Sequence, residues 1–139
     1  MKITDLKPTI VWKFFHQVTQ VPRPSKKEGK MIEFLESFAK EYKIAIKKDE
    51  AGNLLMSKPA TPGMEDRPVV VLQSHMDMVC EKNNGTKHDF DNEPIETIVD
   101  GEWLRANGTT LGADNGIGVA AELALLASDD IQHLSLIHI

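Results

Sequence analysis

With Cys80 as its only cysteine, the chain can form no internal disulfide, which excludes a disulfide-stapled scaffold and makes the cytoplasm the expected compartment. Basic charge is in deficit: 16 Lys and Arg stand against 21 Asp and Glu, a net charge of −5. A nucleic-acid partner is therefore not expected, because such a protein needs a basic face to displace counterions. Lys26, Lys27 and Lys30, like Lys47 and Lys48, read as solvated faces and not as a phosphate grip. Long apolar runs are missing as well. Asp5, Lys7 and Pro8 interrupt the start before a signal peptide could form, and no stretch approaches bilayer length, so no membrane partner is expected. Internal repeats and low-complexity segments are likewise absent.

What is there is ordinary for a globular domain: 41% apolar and 27% charged residues in a chain of 139, enough for one core but not two. Ile10, Val11, Phe14, Phe15 and Val18 share one helical face after Pro8, and Pro22 and Pro24 end that helix. Ser25 and Glu28 have capping-box spacing for a second helix, whose stripe is Met31, Phe34, Leu35, Phe38 and Tyr42. Ile44 and Ile46, a turn at residues 50–53, then Leu54, Leu55 and Met56 read as a hairpin. Residues 69–72 are an unbroken apolar run, expected of a strand buried on both faces. Residues 80–94 are loop-like and acidic. Ile95, Ile98 and Val99 with Trp103 and Leu104 suggest a second hairpin, and Val119, Leu123 and Leu126 a third helix opening near Asp114. Alternating helices and strands predict an α/β fold, a three-layer α/β/α arrangement with a mixed sheet.

Two signatures carry chemistry. The apolar run ends in Ser74, His75, Met76 and Asp77, at the carboxyl end of a strand, where α/β sheets place their sites. On extended backbone, side chains two apart share a side, so Asp77 can hold one nitrogen of His75 while the other binds a metal. A strand-end histidine beside an unrelated surface aspartate explains the same pair. The second signature is Gly112, Ala113, Asp114, Asn115, Gly116, Ile117 and Gly118. Asp114 there is either a helix N-cap or a metal ligand, and a carboxylate has lone pairs for both. The surrounding glycines exceed what a helix start needs. Gly116, Gly118 and Ala121 also satisfy a dinucleotide fingerprint, but no strand directly precedes them as that motif requires. His16, His88, His133 and His138 read as surface or structural histidines, and Cys80 as a small buried hydrophobe.

At these motifs the sequence resembles the cocatalytic zinc peptidases that include aminoacylase, carboxypeptidase G and carnosinase, and among them most nearly the bacterial Xaa-His dipeptidases. The stretches that carry the resemblance are residues 21–25 (Val-Pro-Arg-Pro-Ser), 72–79 and 109–118, and it extends to about His133. It implies hydrolysis of small dipeptides of the Xaa-His type, such as β-alanyl-histidine, by a site holding two Zn²⁺, with Co²⁺ or Mn²⁺ as substitutes. It implies that His75 is a metal ligand, Asp114 the aspartate bridging both metals, Asp77 the catalytic carboxylate orienting His75, and the peptide after Asp114 cis. It also implies a homodimeric parent several times longer. The general-base glutamate and the remaining ligands of that family have no counterpart here, so the chain reads as the N-terminal part, residues 1–133, of a catalytic domain and is expected to be inactive alone. Residues 134–139 read as a truncation or a foreign tail. A non-catalytic binding or structural module that keeps the fold is the alternative.

Overall fold

The computed structural model describes residues 1–133 and the backbone of residues 136–138. The boundary expected after residue 133 concerns a tail of which residues 134, 135 and 139 lie outside the described residues. Helix α1 (Thr9–Gln20) buries Phe14, Phe15 and Val18; α2 (Gly29–Glu41) buries Met31, Leu35 and Phe38. Both stripes follow the 3.6-residue period, and packing of those faces supplies most of the stability of helices this short. The Phe14 ring meets Phe38 edge-on at 5.5 Å, and Phe38 stacks on Tyr42 at 4.6 Å, which locks α1 to α2. Helix α3 (Ala113–Ala127) packs on α1 through Val119, Ala120 and Leu123.

Strands β1 (Ala45–Lys48) and β2 (Leu54–Lys58) form the expected hairpin. The Asp49 carboxylate builds its turn, accepting from the backbone N–H groups of Ala51 and Asn53 at 2.9 and 2.8 Å, while Gly52 takes φ +91°. β3 (Val70–Leu72) stands at the far edge of a four-stranded sheet ordered β1-β2-β6-β3, with β6 (Leu136–His138) inserted between β2 and β3. β6 runs antiparallel to β2 and parallel to β3, so the sheet is mixed, as expected. The second expected hairpin is a separate pair, β4 (Thr97–Asp100) with β5 (Trp103–Ala106).

Leu54 and Met56 of β2 join the buried side chains of all three helices in one core, with Val70 of β3 packed against it. The α/β class with a mixed sheet therefore holds. One detail of β3 differs from expectation. Val69 and Val71 are 52% and 55% exposed, so the apolar run is covered on one face only. β3 is an edge strand, and its alternate residues turn away from the shared core. An unbroken apolar run cannot report on that, because the sequence does not say which face a neighbour will cover.

Candidate functional site

Three residues past β3 the chain reaches His75, outside any strand, and α3 begins at the same end of the structure. The imidazole lies between two carboxylates. Its Nδ1 donates to Asp77 Oδ1 at 3.0 Å and lies 3.2 Å from the Asp77 carbonyl; its Nε2 is 3.1 Å from Asp114 Oδ1. Residues 39 apart in sequence thus converge, while Asp77 takes the opposite ring nitrogen. A carboxylate only accepts, so Nδ1 carries a proton. Nε2 then either carries a second proton or offers its lone pair to a cation that Asp114 also faces. Burial works to lower the His75 pKa, but hydrogen bonds donated to the Asp114 and Asp77 carboxylates outweigh it and hold the imidazole above its ordinary value.

Asp77 is itself held. Its Oδ2 accepts from the Ser25 hydroxyl at 2.5 Å, the main reason its pKa lies below the usual range; slight burial opposes this and His75 adds to it. This corrects the expected capping box. Helix α2 has Glu28 at its N-cap position with no side-chain cap, and Ser25 turns to Asp77 and to the Met78 carbonyl instead. The linker after α1 runs beside the site as a short parallel bridge, Pro24 with Met78, with Met78 N–H donating to the Arg23 carbonyl and Ser25 N–H to that of Met78.

Asp114 does not serve as the helix cap. Gly112, at φ +69°, occupies that position, no side chain caps it, and Asp114 keeps non-helical angles (φ −94°, ψ 102°) with its carboxylate almost fully exposed toward His75. The Asp114–Asn115 peptide is cis, as the resemblance implies. The dinucleotide reading fails on context: Gly116 and Gly118 lie within α3, and β5 ends at Ala106, well before them. The two glycines nearest the site have another use. A Cβ on Gly112 or on Gly116 would stand 2.5 or 2.7 Å from Nη2 of Arg23, whose guanidinium passes beneath both.

Two clefts flank the His75–Asp77 segment. One of about 370 Å³ runs between Val79, Thr110 and Asp114; the other, about 310 Å³, lies toward Gly52, Leu54 and Ser74. Each is at the small end of the range for small-molecule sites. Cys80 is half-buried near the Met78 carbonyl, and burial pushes its thiol pKa up, which suits a structural role. His88 packs on Phe90 beside Glu93, and the His133 backbone pairs with Thr61. The side chain of His138 lies outside the described residues.

A divalent metal fits this donor set in part. Nε2 of His75, oriented by a carboxylate on Nδ1, and the exposed Asp114 oxygens are deprotonatable donors facing one point. Zinc takes four ligands, or three and a water, and no group of three or more His, Cys, Asp or Glu suited to a metal occurs among the described residues.

No established family profile matches the chain. The fold is shared with solved peptidases. The structure superposes on a tripeptidase from Staphylococcus aureus (TM-score 0.73, 22% identity, 93% of this chain and 35% of that one) and on an aminopeptidase from Bacillus cereus (TM-score 0.71, 20% identity, with the same coverage). Two dipeptidases are more similar in sequence. The chain is 48% identical over 132 residues to the cytosol non-specific dipeptidase of Escherichia coli, covering 95% of this chain and 27% of that protein. It superposes with a TM-score of 0.97 and 46% identity on the crystal structure of aminoacylhistidine dipeptidase from Vibrio alginolyticus, over 99% of this chain and 28% of that one. The resemblance read from the motifs is thus shown along nearly the whole chain, which spans little more than a quarter of the length of these relatives.

Proposed function

We propose that the chain is the N-terminal portion of a metal-dependent dipeptidase acting on Xaa-His or similarly small dipeptides, and that these 139 residues contribute one wall of its active site without hydrolysing peptides alone. The observation that carries this reading is the convergence of His75 Nε2 and Asp114 Oδ1 at 3.1 Å with Asp77 fixed behind the ring. His75 would hold a divalent metal through Nε2, and Asp114 would hold the same metal and a second one. When bound, the metals supply Lewis acidity to the scissile carbonyl and lower the pKa of water. The work of the protein's own residues is orientation. Asp77 keeps the Nδ1 proton in place, so that Nε2 presents its lone pair, and Ser25 keeps Asp77 turned toward the ring. The dipeptide would lie along the cleft past Thr110 and Val79, beside Asp114. The names of the relatives, one a cytosol dipeptidase and one an aminoacylhistidine dipeptidase, support a cytoplasmic enzyme with small peptide substrates. No described helix is long and apolar enough to cross a membrane.

Zinc titrated into the 139-residue chain tests the metal reading. Weak binding that shifts the ring resonances of His75 is expected, and it is lost in His75→Ala and Asp114→Ala. Incubation of the zinc-loaded chain with β-alanyl-histidine should release no measurable histidine. A zinc response that leaves His75 untouched would remove the metal from this site, and robust turnover would show that the chain is catalytically sufficient.

A further inference from the structure

Arg23 is the largest fully buried side chain described, 1% exposed, and among the described residues only three others that are polar or charged are buried. Burying a guanidinium is costly unless its donors are used. Desolvation shows in its pKa, lowered to about 10 although Asp77 and Cys80 pull it upward. Yet Arg23 is in no ion pair among the described residues, and its Nε finds no acceptor there. What its fork does reach is three backbone carbonyls. Nη1 donates to Met76 O at 3.0 Å and to Asp77 O at 3.2 Å; Nη2 donates to Gly112 O at 2.6 Å. Two of these belong to the segment that presents His75 and Asp77, and the third lies two residues before Asp114. The Asp77 carbonyl is shared, lying also 3.2 Å from His75 Nδ1. Room for the fork is made by absent side chains, since a methyl at Gly112 or Gly116 would collide with Nη2.

We infer that Arg23 is a positioning residue whose fork ties the His75–Asp77 segment to the Gly112–Asp114 turn and so sets the spacing of His75 and Asp114. Its consequence for catalysis rests on the function proposed above; the geometric tie does not. A planar guanidinium can span two loops with separate nitrogens, whereas an ammonium is a single point charge. Geometry, not charge, is therefore what this position requires. Two of the glycines around Asp114, Gly112 and Gly116, are explained by the same passage, since they admit the arginine that holds the turn, whereas Gly118 faces the Asn115 side chain and Gly108 that of Thr86.

The test uses the metal-free, isotopically labelled chain and reads the water-exchange lifetime of the His75 Nδ1 proton, together with the proximity signal between the His75 ring and the Asp114 side chain. In Arg23→Met and in Arg23→Lys the lifetime should fall by about tenfold or more, the scale of a lost charge-assisted hydrogen bond, and the proximity signal should vanish while core methyl signals of Val18 and Leu123 persist. A folded Arg23→Met with the native lifetime and proximity overturns the inference. Recovery of both by Arg23→Lys overturns it too, because charge alone would then suffice. Should Arg23→Met fail to fold, Gly116→Ala decides: it keeps the arginine but displaces its fork, and the same losses are expected, with native behaviour counting against the tie. Zinc added to the unsubstituted chain separates the two ideas. No shift at His75 sinks the metal reading and leaves the outcome of the arginine variants standing.

Discussion

Ser25 shows how one hydroxyl can set the state of a neighbouring acid. It donates to Asp77 Oδ2, and that bond is the leading cause of the depressed Asp77 pKa. In Ser25→Ala the carboxylate loses this donor, so its midpoint should move up toward the ordinary aspartate value, and Ser25→Thr should restore it. The carboxyl carbon shift of Asp77, followed through an acid titration, reads this directly; an unmoved midpoint would mean that His75 alone holds the carboxylate. The pairing of His75 with Asp77 was legible in sequence because it is local, between residues two apart. Ser25 and Arg23 were not legible as site residues. Their partners lie 52 to 89 positions away, and Ser25 carries a competing local signal, the Ser-x-x-Glu spacing. Nothing in that spacing says that the hydroxyl will be drawn to a carboxylate on another segment.

Among the elements, α1 and α3 form the contact on which the site turn depends, since α3 carries Asp114 at its opening and its buried face locks it to α1. Leu123 is fully buried in that contact, beside Val119 and Ala120. Leu123→Ala removes buried methyl groups and leaves a cavity, so it should cost about 2–5 kcal/mol in denaturant unfolding, with little change in the slope of the transition. A loss under about 1 kcal/mol would mean that the helices collapse to refill the space. The helices and both hairpins could be read from the sequence because each repeats an apolar period or carries a turn signal of its own. The opening of α3 could not. Asp114 has the composition of an N-cap, but Gly112 takes the cap position and the backbone stays non-helical through Asn115, so the carboxylate is free to face His75. The exposure of β3 was equally hidden, because burial of a strand's second face depends on what is packed there and not on the strand's own residues.

For the molecule as a whole, the shifted titrating groups pull stability in opposite directions on the pH scale. The carboxylates of Asp49, Asp77 and Asp89 all have lowered pKa values, through hydrogen bonds chiefly from Asn53, Ser25 and Asn92 respectively. Each contributes stability that is present above the unfolded value, about pH 4, and is lost as pH falls through the folded value. His75 works the other way: burial lowers its pKa, but Asp114 and Asp77 raise it further, to a net value above the ordinary one. Its contribution is complete below about pH 6.5 and fades as pH rises through the raised folded value. In metal-free solution the urea midpoint should therefore be highest between about pH 4 and pH 6.5 and decline on both sides. These groups are mostly exposed, so the slopes should be shallow and should weaken in salt. In His75→Gln the decline that begins just above about pH 6.5 should disappear while the acid one remains, leaving the Cys80 thiol, whose pKa burial raises, to lower stability only at higher pH. Persistence of the decline between about pH 6.5 and pH 8 would assign it to another group and would mean that the two carboxylates do not stabilise the imidazolium in the folded chain.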